Sequence, residues 1–140
     1  MILVLGGTSD SLEICDRINK YEDLPYTLSV TTSYGEDLAR KHAKNVITGK
    51  LTKEDMVRFI EKNNINKIID ATHPYAIEVS KNAIQCAKEL NIDYLRYERK
   101  SLIEDISYEN KYIVSSIEEA CKIAREKGRN IFIGTGSKNL

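Results

Sequence analysis

Cysteine is scarce and scattered in this sequence. Cys15, Cys86 and Cys121 are odd in number, far apart, and never form a Cys-x-x-Cys pair. That spacing argues against a metal or redox role. Each falls on the apolar face of a predicted helix and reads as a small buried hydrophobe. Histidine is scarcer still: His42 and His73 are too few and too separated for a metal signature. Net charge is also missing, with 21 Lys and Arg against 21 Asp and Glu. There is thus no global basic field to hold nucleic acid. No apolar run approaches the roughly 20 residues of a membrane helix. The chain opens directly on a strand, so we expect no signal peptide and a cytoplasmic protein. Repeats and low-complexity tracts are absent.

What is present fits a globular α/β protein. A length of 140 residues, 41% of them hydrophobic and 30% charged, suffices for a real core. The first eleven residues organise the rest. Residues 2–5 read as a buried strand, Gly6 and Gly7 break it, and Thr8, Ser9 and Ser11 precede an amphipathic run. A strand, glycine turn and helix start can hold a phosphate through close backbone approach and free N–H groups. The dinucleotide fingerprint is incomplete, with Thr8 and Ser11 at its second and third glycine positions. Two glycines can also serve tightness alone.

Along the chain, Ser11, Ile14, Cys15 and Ile18 have helical spacing. Residues 26–32 alternate as a second strand. Residues 33–35 turn, and residues 36–44 are a short helix or irregular. Val46 and Ile47 form a third strand closed by Gly49. Thr52 and Asp55 resemble a capping box for a helix burying Met56, Val57 and Ile60. Residues 67–71 form the fourth strand. Thr72, His73 and Pro74 lead into a helix with Pro74 in its first turn, burying Ala76, Val79, Ala83, Cys86 and Leu90. Residues 94–97 form the fifth strand. This alternation predicts a Rossmann-like parallel sheet with helices on both faces, over a nucleotide-binding domain of residues 1–100.

Residues 98–111 break the pattern, so residues 101–140 read as a linker and the start of a second α/β domain. Residues 111–114 read as a strand. A helix capped by Ser116 and Glu119 is expected to bury Ile117, Ala120, Cys121 and Ala124. Residues 131–133 form another strand before Gly134-Thr-Gly-Ser137. The chain stops where a further helix is due, which predicts an incomplete domain.

Polar residues collect at the carboxyl ends of these strands, where open parallel sheets bind ligands. After the second strand come Thr31, Thr32 and Ser33, with no carboxylate before Glu36. Small hydroxyls there suit a 2′-phosphate, favouring NADPH while leaving NADH possible. They are equally good strand-end residues. Thr48, Gly49 and Lys50 follow the third strand. Asp70, Thr72 and His73 form the densest cluster. His73 reads as a general acid, a ligand donor or a helix cap, and Asp70 as a ligand contact or a loop anchor. Arg96, Arg99 and Lys100 form a basic cluster suited to several carboxylates, or to pairing with Glu98. Gly136 and Ser137 repeat the logic of the opening turn.

Taken together, these motifs resemble the precorrin-6A and cobalt-precorrin-6A reductase family of cobalamin biosynthesis. The segments are the Gly-Gly-Thr turn ending at Thr8, Asp70-Ala-Thr-His-Pro-Tyr-Ala76, Ser80-Lys-Asn-Ala83, Leu95-Arg-Tyr-Glu-Arg99 and Thr135-Gly-Ser-Lys-Asn-Leu140. Lys100 departs from the proline usual in the family, and family members are about a domain longer. The resemblance implies an oxidoreductase that passes hydride from NADPH or NADH to one double bond of a corrin precursor. It implies a cofactor across the strand ends, on Gly6, Gly7, Thr8, Ser9, Thr32, Ser33, Gly49, Asp70 and Thr72. His73 and Tyr75 would line the reaction site. Arg99, Lys100, Gly136 and Ser137 would meet the acidic tetrapyrrole in a cleft between domains. A chain this short is expected to be poorly active. The alternative is a non-catalytic nucleotide-binding domain serving regulation or interaction.

Overall fold

The computed structural model describes residues 1–100 and 106–134. The chain divides into two units, residues 1–100 and 101–140.

In the first unit, β1 (Ile2–Leu5), β2 (Tyr26–Val30), β3 (Val46–Thr48), β4 (Lys67–Asp70) and β5 (Asp93–Arg96) form one parallel sheet. Its strand order is β3-β2-β1-β4-β5. The chain moves outward from β1 through β2 to β3, then crosses to β4 on the other side of β1. The direction of winding therefore reverses between β1 and β4. Helices α1 (Ser9–Ile18), α2 (Ser33–Ala39), α3 (Lys53–Lys62) and α4 (Ile77–Leu90) make the connections.

Alternation along the strands sorts the core onto two faces. Leu3, Leu5 and Ile68 pack with Met56 and Ile60 of α3 and with Ala83, Cys86 and Ala87 of α4. Val4, Leu28 and Val30 pack with Cys15 and Ile18 of α1 and with Ala39 of α2. Each fully buried aliphatic side chain contributes about 1.5–3 kcal/mol, so both faces must be covered for the sheet to persist. The expected sheet with helices on both faces is what forms.

Several boundaries differ from the sequence reading. β2 ends at Val30, because Thr32 caps α2 by accepting from the Gly35 N–H at 3.0 Å. The segment at residues 33–35 is therefore helical rather than a turn. Pro74 is not in the first turn of α4. The chain makes a separate turn closed by Ala76 N–H to His73 C=O at 2.8 Å, and α4 begins at Ile77. A proline disfavours the helical region for the residue before it, which separates His73 from the helix.

The described part of the second unit contains one helix, α5 (Ile117–Lys127). Ser116 caps it by accepting from the Glu119 N–H at 3.1 Å, but Glu119 reaches back to Ser115 instead of Ser116. No α5 residue is buried, so the expected burial of Ile117, Ala120, Cys121 and Ala124 does not occur. Residues 111–114 and 131–133 form no strand, for no partner strand pairs with either among the described residues. Without a ladder partner an extended segment leaves its backbone groups to water.

Candidate active site

The turn after β1 is shaped by packing on one side and opens on the other. A Cβ at Gly6 would meet Leu28 Cδ1 at 2.7 Å and Ser11 Oγ at 2.9 Å. Gly7 has φ +107°, where glycine is favoured, and a Cβ there would meet nothing within 4 Å. Thr8 and Ser11, the two departures from the glycine fingerprint, form a reciprocal cap for α1. Thr8 Oγ1 accepts from the Ser11 N–H at 3.1 Å, and Ser11 Oγ accepts from the Thr8 N–H at 3.4 Å. Thr8 Oγ1 also donates to the Ala71 carbonyl at 2.7 Å, linking the β1 turn to the end of β4. The N–H groups of Gly7, Ser9 and Asp10 donate to no acceptor among the described residues. They are open donors at the positive end of the α1 dipole.

The end of β4 is held by Asp70, which is fully buried. Its Oδ1 accepts from the Thr72 N–H at 3.0 Å, the Thr72 hydroxyl at 2.7 Å and Arg96 Nη1 at 2.7 Å. Its Oδ2 accepts from the Tyr94 hydroxyl at 2.7 Å. Burial alone would raise the Asp70 pKa. The nearby Ser80 hydroxyl and the Thr72 and Tyr94 donors outweigh it and hold the carboxyl below its ordinary value. Burial and then the Asp70 carboxylate push the Tyr94 hydroxyl up to about 12. Arg96 continues outward, donating from Nε at 3.3 Å and Nη2 at 3.2 Å to Glu98. The sequence reading placed Arg96 only in a basic cluster and missed this partnership. The available signal was that β4 and β5 end on opposite charges, and Asp70 and Arg96 are register partners.

Gly7, Thr8, Ser9 and Asp10 line one wall of a cleft of about 370 Å³. Ala71, Thr72, His73 and Pro74 line the other, with Tyr97, Glu98 and Arg99 at its end. The cleft lies outside the carboxyl ends of β1 and β4, at the reversal of winding, where doubly wound sheets bind their ligands. A hollow of about 520 Å³ at the opposite sheet edge, lined by residues such as Met1, Pro25 and Asn91, gathers the amino ends of the strands. It lacks that geometry. A third hollow belongs to the second unit alone, around Tyr112 and Lys127.

Of the remaining sequence-predicted residues, His73 and Arg99 line this cleft, whereas Tyr75, Thr32, Ser33, Gly49 and Lys100 do not. His73 and Tyr75 are exposed, with ring centroids 5.0 Å apart and the Tyr75 N–H 3.3 Å from His73 Nδ1. Thr32 and Ser33 are exposed where β2 meets α2. Gly49, with φ +125°, follows β3 and donates its N–H to the Val30 carbonyl at 2.9 Å. Beside it, Glu36 accepts from the Thr48 hydroxyl at 2.6 Å and pairs with Arg40. Thr48 first, then Arg40, lower its pKa. Arg99 and Lys100 are exposed beyond β5. Gly136 and Ser137 lie outside the described residues.

Sheet order, winding reversal and cleft define a Rossmann-like, doubly wound α/β domain. The chain belongs to the family described as precorrin-6x reductase CbiJ/CobK, which it matches over residues 1–140. It is 44% identical over 139 residues to the cobalt-precorrin-6A reductase of Methanocaldococcus jannaschii, covering 99% of this chain and 55% of that protein. To the cobalt-precorrin-6A reductase of Priestia megaterium it is 45% identical over 141 residues, covering 100% and 54%. The chain thus spans about half the length of these curated relatives. Its fold matches a solved CobK precorrin-6A reductase with TM-score 0.60 and 22% identity, over 71% of this chain and 37% of that one.

Proposed function

We propose that this chain is the cofactor-binding portion of a cytoplasmic, NADPH-dependent reductase acting on a double bond of precorrin-6A or its cobalt form. The observation that carries this is the cleft at the winding reversal, with open Gly7, Ser9 and Asp10 amides, in a member of this family. Those amides suit a pyrophosphate. Thr32 and Ser33 at the start of α2, with Gly49 nearby in sequence order after β3, suit the adenosine ribose and its 2′-phosphate. Glu36, the first carboxylate after β2, is already taken by Thr48 and Arg40, which favours NADPH over NADH.

A reduced nicotinamide supplies hydride when bound. The residues of the chain bind and orient it, so the rate enhancement sought here is one of positioning. Asp70 and Thr72 hold the loop that carries His73 and Tyr75, and these two exposed rings line the reaction site. Lys100 meets carboxylates of the tetrapyrrole.

Titration of NADPH and NADH into the protein tests this reading. NADPH is expected to bind at least about tenfold tighter, a difference of about 1.4 kcal/mol. Failure of both to bind overturns it. Binding by the whole protein without reduction of a precorrin-type substrate would mark a non-catalytic nucleotide-binding domain instead.

A further inference from the structure

Arg99 shares its cleft with the glycine turn. Its side chain is 64% exposed, and its Nη2 lies 2.5 Å from Asp10 Oδ1. The contact is an ion pair by distance without hydrogen-bond geometry, since Asp10 Oδ1 is out of solvent and makes no hydrogen bond. The remaining guanidinium nitrogens of Arg99 have no hydrogen-bond partner among the described residues.

The charges around the cleft explain why this pair matters. Two carboxylates line it, Asp10 and Glu98. Glu98 is held by Arg96. The next acid along α1, Glu13, is held by Arg17 at 2.7 Å. Asp10 therefore relies on Arg99. A phosphate placed on the amides of Gly7, Ser9 and Asp10 would sit beside the Asp10 carboxylate and be repelled by it. A partly exposed ion pair is weak, whereas a guanidinium fork on phosphate oxygens makes two parallel charge-assisted hydrogen bonds and is stronger.

We propose that Arg99 is a pyrophosphate ligand of this cleft, stored on Asp10 until a dinucleotide displaces it. This rests on the dinucleotide reading above and alters the sequence-based role of Arg99, which was to meet substrate carboxylates. Asp10 then acts as a competitor that keeps the guanidinium over the cleft and raises the selectivity of the site for a strong anion.

Calorimetric titration of NADP⁺ into the whole protein tests it, with 2′-AMP as a probe that lacks the pyrophosphate. Arg99→Ala should weaken NADP⁺ binding about tenfold or more, leave 2′-AMP binding unchanged and leave the thermal midpoint unchanged. Arg99→Lys should recover only part of the loss, because an ammonium cannot fork. Asp10→Asn should tighten NADP⁺ binding about threefold by removing the competing charge. Unchanged NADP⁺ affinity in Arg99→Ala overturns the assignment, and a raised KM for the corrin substrate in that variant returns Arg99 to the macrocycle. Weaker binding in Asp10→Asn overturns the storage role. If the unsubstituted protein binds no nicotinamide dinucleotide, the cofactor reading itself fails, a result distinct from the others.

Discussion

Arg96 Nη1 and Asp70 Oδ1 lie 2.7 Å apart at the level carboxyl ends of β5 and β4. Asp70 is fully buried and the Arg96 side chain is 25% exposed. Removing one member of such a pair leaves a buried charge without its partner. Arg96→Ala should therefore destabilise the first unit by about 3 kcal/mol, measured as a lower urea midpoint. Arg96→Met should cost similarly, since it restores bulk but no donor.

Asp70 also predicts an acid limb to stability. Its folded pKa lies below its unfolded value. The unfolded chain then binds the proton more readily, so the contribution of Asp70 is full above about pH 4. It disappears as pH falls through the lower, folded value. Asp70→Asn should flatten this part of the stability curve relative to the unsubstituted protein. Parallel curves between pH 5 and 2 would show that other carboxylates carry the acid transition.

Thr8 has two tasks that one substitution separates from shape. It caps α1 and donates to the Ala71 carbonyl. Thr8→Val keeps the volume and loses both, at a cost of about 2 kcal/mol. Thr8→Ser keeps both and should unfold close to the original midpoint. Loss in Thr8→Ser with none in Thr8→Val would point to the methyl group instead of the hydroxyl.

Gly6 and Gly7 should fail for different reasons. Gly6→Ala drives a methyl into buried Leu28 and the Ser11 cap, costing about 1–3 kcal/mol through overpacking. Gly7→Ala has open space but φ +107°, costing about 1–3 kcal/mol through backbone strain. A Gly7→Asn variant should lose less than Gly7→Ala, because asparagine tolerates positive φ better. In Gly6→Ala, shortening Leu28 to Val should recover stability, and in Gly7→Ala it should not.

His73 offers the complementary case. It is exposed, so His73→Ala should leave stability within about 0.5 kcal/mol. In the whole protein the reductase rate should fall at least about tenfold if the imidazole lines the reaction site. An unaltered rate in steady-state assays would remove His73 from it.

Much of the first unit was legible because periodicity reports burial directly. The helical spacing of Met56 and Ile60 places those residues on their observed face, and the unbroken apolar run of β1 marks a strand buried on both sides. The Thr52 cap reads equally well, since capping depends on residues three positions apart. The second unit was less legible. Residues 111–114 and 131–133 have strand composition, but a strand exists only with a partner. Cys121 has helical spacing and is exposed, because amphipathicity marks a face suited to burial without supplying the surface that buries it.

The site divides along the same line. Local sequence by itself determined that β1 runs into a glycine turn, that a helix starts near Ser9, and that polar residues cluster after the strands. Only the tertiary structure decided that Thr8 and Ser11 replace glycine as a mutual cap, that Asp70 is a four-donor anchor, and that Arg99 stands over the glycine turn. Each depends on sheet order and register, which set residues 5, 70 and 96 side by side. Hydrogen bonds and ion pairs act over a few ångströms, and strand pairing is what brings such distant positions within that range.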